Sequence, residues 1–158
     1  MNKKLMVALS TVAGSVLGAG VVKKKLEEDV KKQKEYADKH LSLFLLMNQW
    51  VRIKQENKSI ADYLERKGYK TIAIYGMSYA GETLLKELKE SGIKVKYGID
   101  SKSDAVYSDI NVVSPESDLE EVDAVIVTAI TYFEDIEEKL MEKISCPILS
   151  LEDLLYEI

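Results

Sequence analysis

The chain is poor in the residues that carry metal and redox chemistry. Its 158 residues include one cysteine, Cys146, and one histidine, His40. A single cysteine cannot close an internal disulfide, and there is no Cys or His cluster with the spacing of a metal site. Cys146 stands next to Pro147 at the head of an apolar run and reads as a buried, inert thiol. Proline is also scarce: there are two, and the segment from Lys23 to Asn57 holds neither proline nor glycine. Nothing in that segment interrupts a long helix. Positive charge is in deficit, with 22 Lys and Arg against 27 Asp and Glu for a net charge of -5, which argues against nucleic acid as a partner.

What is present is organised around Lys70 to Asp100. Thr71 to Tyr75 is a short uncharged β-branched and aromatic run, the pattern of a parallel strand covered on both faces. Gly76 opens a turn, and Ala80, Leu84, Leu85 and Leu88 recur at helical spacing until Ser91 and Gly92 stop them. Ile93 to Ile99 returns as a second strand with Asp100 at its carboxyl end. Further on, Ile110 to Val113 reads as a short edge strand and Asp123 to Thr128 as another buried one. Tyr132 to Lys143 reads as a helix with Phe133, Ile136, Leu140 and Met141 inward, and Pro147 to Leu149 as a last strand before a helix over 151–158. Strands alternating with helices predict an α/β fold: a parallel sheet of four to five strands with helices on both faces.

The turn after the first strand carries the chemistry. Gly76-Met77-Ser78-Tyr79-Ala80-Gly81 matches the dinucleotide pattern G-x-G-x-x-G at its first and third glycines, with Ser78 at the second. The tight turn and the close helix-strand packing are kept. A serine hydroxyl could itself donate to a phosphate, beside a helix amino end with open N–H groups and a positive dipole end. Asp100 follows near the spacing at which an acid reaches a ribose hydroxyl, which favours NAD over NADP. The competing reading is a scaffold on a nucleotide-type fold that binds nothing. Tyr63 and Lys67 form a Tyr-x-x-x-Lys, but they precede the first strand, where the proton-transfer pair of a short-chain dehydrogenase does not belong.

The amino-terminal third reads differently. Leu5 to Val22 is an uncharged run of eighteen residues, about 27 Å of helix against a bilayer core of about 30 Å. A single-pass anchor over 1–22 is predicted, with a cleaved signal peptide as the alternative. Lysines crowd the carboxyl side of the run, which places the following domain in the cytoplasm at the cell membrane. Residues 23–68 read as a helical linker, in which Lys23 to about Asn57 forms one long helix or two with a break near His40, followed by a short helix from Ile60 to Lys67. Leu26, Val30, Ala37, Phe44, Met47 and Val51 fall on a seam of alternating four- and three-residue steps, interrupted by Gln33, His40 and Lys54, so a homo-oligomer through a coiled coil is an expected partner mode. From Leu41 to Ile53 the helix is apolar over more than one stripe and needs cover from the globular domain, a partner helix or a membrane surface. Ser59 with Asp62, and Ser150 with Asp153, are capping pairs that start short helices.

IAIYGMSYAGETLLKELKESGIKVKYGID, with VDAVIVTA and PILSLEDLL after it, resembles the small Rossmann-like nucleotide-binding domains of bacterial polysaccharide-biosynthesis proteins. Two relatives are the amino-terminal domain of sugar O-acyltransferases and the carboxyl-terminal domain of sugar C-methyltransferases. The resemblance covers roughly 69–158, and it implies NAD or a nucleotide sugar as ligand. It implies Gly76, Met77, Ser78, Tyr79, Ala80 and Gly81 as the phosphate turn, Asp100 as the ribose or base contact and Thr128 as the edge of the crevice. The expected function is a membrane-tethered nucleotide-binding module in surface-polysaccharide synthesis. An interaction scaffold and an oxidoreductase or epimerase are the alternatives. The last needs a placed acid, base or nucleophile, and no convincing candidate follows Asp100.

Overall fold

The structure, a computed structural model, describes the backbone of residues 3–158 and the side chains of residues 22–158. It divides into two compact units, Met1–Leu41 and Ser42–Ile158. Helix α1 runs over Lys3–Gln55, with no break at His40, because no residue between Lys23 and Gln55 disfavours a helix strongly enough to stop it. Within the first unit every side chain from Val22 to Leu41 is exposed. Ion pairs one turn apart link Lys23 to Glu27 and Lys31 to Glu35. The apolar run Leu5 to Val22 lies outside the described side chains but for Val22. Among the described residues no helix is long and apolar enough to cross a membrane.

In the second unit α1 ends at Gln55, and Asn57 takes a left-handed φ of 56°. Ser59 then caps α2 (Ile60–Arg66), its hydroxyl accepting from the N–H groups of Ala61 and Asp62. There follow β1 (Thr71–Tyr75), α3 (Tyr79–Leu88), β2 (Lys94–Ile99), β3 (Val112–Val113), β4 (Ala124–Val127), α4 (Phe133–Met141), β5 (Ile148–Ser150) and α5 (Leu151–Glu157). The five strands make one parallel sheet in the order β3-β2-β1-β4-β5. Of the three interior strands, β1 and β4 carry no charged residue, as burial on both faces requires, whereas β2 carries its two lysines toward its amino end.

The alternation of β1 and β4 splits the core in two. Ile72, Ile74, Ala124 and Ile126 point to one face, which α2, α3, α5 and the last turns of α1 cover. Ala73, Val125 and Val127 point to the other, which α4 covers with Ile136 and Leu140. From α1 the buried side chains are Leu46, Trp50 and Ile53, each worth about 1.5–3 kcal/mol of transfer energy. Trp50 Nε1 donates to Glu87 Oε2 at 2.6 Å, and Lys54 Nζ to Glu87 Oε1 at 2.5 Å, so a carboxylate of α3 clamps the end of α1. Phe44, Leu45 and Val51 remain exposed, so the second apolar stripe of this helix is without cover among the described residues.

Two expectations need correction. Met141 is 64% exposed, because Ile136 and Leu140 already define the inward face of α4 and the next residue lies about a quarter-turn off it. Cys146 is half-buried rather than buried, although burial still pushes its thiol above the ordinary value and keeps it a poor nucleophile. Tyr63 and Lys67 have local partners: the Tyr63 hydroxyl donates to Glu157 at the end of α5, and the Lys67 ammonium lies 5.2 Å from the Tyr63 ring centre.

Candidate functional site

The β3-β2-β1-β4-β5 order reverses direction between β1 and β4, and open sheets of this kind place ligands outside the carboxyl ends of the strands at that switch. The turn from Gly76 to Ser78 sits there. Gly76 has φ of +93°, and a β-carbon on it would lie 2.8 Å from Thr128 Oγ1. Both the backbone angle and the neighbour therefore demand glycine. At Gly81 a β-carbon would fall 2.1 Å from the carbonyl oxygen of Gly76, so the first turn of α3 packs directly on the strand-end backbone. The two glycines kept from the fingerprint do the two jobs expected of them.

Ser78 is exposed and stands at the N-cap of α3, but its side chain makes no capping bond. The first-turn N–H groups of α3 have no acceptor within the helix. Tyr79 is 78% exposed beside them. Met77 and Ala80 turn the other way: both are buried, and Met77 packs so closely over Gly98 that a β-carbon there would lie 2.7 Å from its Cγ. Of the six turn residues, Ser78 and Tyr79 are thus the exposed side chains, while Met77 and Ala80 anchor the turn from below.

Asp100 and Thr128 reach the same turn from the ends of β2 and β4. Asp100 Oδ2 accepts from the Met77 N–H at 2.9 Å and Oδ1 from the Lys102 N–H at 2.9 Å. Thr128 is 5% exposed, and its hydroxyl lies 2.5 Å from the Gly76 carbonyl oxygen and 3.1 Å from that of Tyr75. One hydroxyl proton serves one acceptor at a time, and the shorter contact is to Gly76. Both side chains hold the shape of the turn. Tyr75, half-buried at the end of β1, has its phenol pushed up by burial, then by the nearby Asp100 and Glu116 carboxylates, which makes it a weak acid at neutral pH.

A hollow of about 410 Å³ opens at the carboxyl ends of β4 and β5, lined by Thr131, Glu134, Asp135, Ser150, Glu152 and Asp153 among others. The sequence names Asp153 only as the capping partner of Ser150, and it does not mark Glu134, Asp135 or Glu152 as site residues. Their signal is the position of Glu134, Asp135, Glu152 and Asp153 in the first turns of α4 and α5, the helices that follow β4 and β5 in the chain. A wider groove of about 600 Å³ lies elsewhere, between the outer side of α3, the start of β2 and residues 107–110. Among the described residues no group of three or more His, Cys, Asp or Glu is arranged to hold a metal ion.

No curated protein and no solved structure is significantly similar to the chain. The family model described as C2185-like, N-terminal matches residues 68–147. That span runs from Gly68, just ahead of β1, to Pro147 at the threshold of β5, and so takes in the glycine turn, Asp100 and Thr128. It is just over half of the sequence, and the chain belongs to the C2185-like, N-terminal family.

Proposed function

We propose that the sheet unit is a Rossmann-like module that binds a nucleotide-containing ligand, NAD or a nucleotide sugar, at the carboxyl ends of β1 and β4, without catalysing a reaction on it. One observation carries this reading: a left-handed glycine turn at the switch of the sheet leads into a helix whose N-cap hydroxyl, on exposed Ser78, makes no capping bond. A phosphate placed there meets N–H donors, a hydroxyl and the positive end of a helix dipole. The acids around the neighbouring hollow repel a phosphate and accept hydroxyl groups, so they favour the sugar part of such a ligand on that side. The tether that would hold the module at a membrane, and with it a place in surface-polysaccharide synthesis, rests on the sequence alone.

An interaction scaffold is the second reading, and it draws on a specific observation: Asp100 and Thr128 are engaged in holding the turn itself. Calorimetric titration of the chain with NAD, NADP and UDP-sugars distinguishes the two. The binding reading expects heat with one class, a loss of about ten-fold or more on Gly76→Ala, and a smaller loss with Asp100→Asn, which keeps an oxygen to accept from Met77 but removes the charge. Ser78→Gly should preserve binding. Absence of heat with all three ligands puts the scaffold first.

A further inference from the structure

Nothing in the compact unit accounts for the side of α1 that faces away from its core. Over 42–55 the docked residues Leu46, Trp50 and Ile53 occupy one side, and Phe44, Leu45 and Val51 are 64, 50 and 55% exposed. Over 22–41 every side chain is exposed, Leu26, Val30 and Leu41 included. The ion pairs Lys23–Glu27 and Lys31–Glu35 on this stretch, each between exposed residues one turn apart, add little to it.

We propose that α1 pairs side by side and in parallel with α1 of a second copy of this chain. The spacing of the exposed residues fits that occupant. Leu26, Val30, Gln33 and Ala37 advance by alternating four- and three-residue steps, and after one extra four-residue step Leu41, Phe44, Asn48 and Val51 do the same. This is the a/d seam of a two-stranded coil with a single stutter. Met47, which an unbroken heptad from Leu26 places on the seam, packs instead against the core of its own chain, and Leu41 and Asn48 take over. In the shifted register Leu46 and Ile53 fall at position f and Trp50 at c, on the outside of a coiled coil. The same helix therefore docks on its sheet through c and f and meets its copy through a and d.

Charge and polarity choose the parallel orientation. In parallel alignment Asp29 at g faces Lys34 at e of the other copy, an opposite-charge pair, and no like-charge g–e pair occurs along the seam. Asn48 falls at an a position, where it meets its own copy amide to amide, the arrangement by which a single asparagine specifies register and two-strandedness. In an antiparallel pairing its amide would face an apolar residue and lose a partner.

Chemical cross-linking of the full chain tests this. In a Cys146→Ser background, Val30→Cys and Val51→Cys are made singly, both at exposed positions, with Asp62→Cys on exposed α2 as the control. Parallel pairing expects each of the first two variants to cross-link with itself well above the control. Phe44→Glu added to Val51→Cys should lower the yield by about ten-fold or more while leaving the thermal melt of the chain unchanged. Cross-links that form only when the Val30→Cys and Val51→Cys chains are mixed would mean antiparallel pairing and overturn the proposal. Yields no higher than that of the control, or a yield indifferent to Phe44→Glu, would assign the stripe to another protein or to a membrane surface.

Discussion

Two sites stand side by side at the carboxyl edge of the sheet, and they are built in opposite ways. At the turn after β1, the Asp100 and Thr128 side chains point inward and bond to backbone within a few residues of Gly76. At the hollow after β4 and β5, the carboxyl groups of Glu134, Asp135, Glu152 and Asp153 line open space. The first is a shape held by its neighbours, and the second is a charge with little holding it. Under the proposed reading a phosphate, which needs donors in a fixed arrangement, would sit at the first, and the carboxylates of the second would disfavour an anion. The comparison also explains why the turn tolerates Ser78 in place of a glycine: the positions that packing demands are Gly76 and Gly81, and Ser78 projects to solvent with no neighbour to clash against.

If this contrast is right, substitutions at the turn should register as lost stability and those at the hollow should hardly do so. The largest effect belongs to Gly81→Ala, because the added carbon meets the Gly76 carbonyl, which cannot move without shifting helix from strand. A loss of about 3 kcal/mol is expected in urea unfolding, and an unchanged midpoint would mean that α3 can slide on β1. Thr128→Val comes next. It keeps the shape and removes the hydroxyl, leaving the Gly76 carbonyl oxygen without its donor, for a loss of about 1–3 kcal/mol. Thr128→Ser should recover most of that if the hydrogen bond is the cause, whereas an equal loss in both variants would point to the methyl group. Smallest is Asp135→Asn in the hollow, which gives up only the attraction of a carboxylate to the first turn of α4, about 0.3–1 kcal/mol. A cost as large as that of Thr128→Val would show that the hollow is as much a structural device as the turn.

Much of the fold was legible because it is written locally. The uncharged runs TIAIY and AVIV became β1 and β4, two of the three interior strands and the two buried along nearly their whole length on both faces, where a charge has no room. Ser59 and Ser150 cap the helices they precede, a contact between residues two or three apart that needs nothing from the rest of the chain. The glycine turn was legible for the same reason. The hollow was not, because its walls come from first helical turns some twenty residues apart in sequence that adjoin only once β4 and β5 pair.

The sequence by itself determined the strand-helix alternation, the parallel sheet that follows from it and the turn at Gly76, because each depends on residue type at short spacing. Only the tertiary structure decided which stripe of α1 is buried. Leu43, Leu46, Trp50 and Ile53 were no more apolar than Leu41, Phe44, Leu45 and Val51, and what selected them was Glu87, 37 positions beyond Trp50, and the Leu155 carbonyl, 106 positions beyond Gln49. Tertiary structure likewise decided that Asp100 and Thr128 bond inward to the turn. Periodicity can state how many apolar faces a helix has, but the choice between them rests on partners that only folding brings within reach.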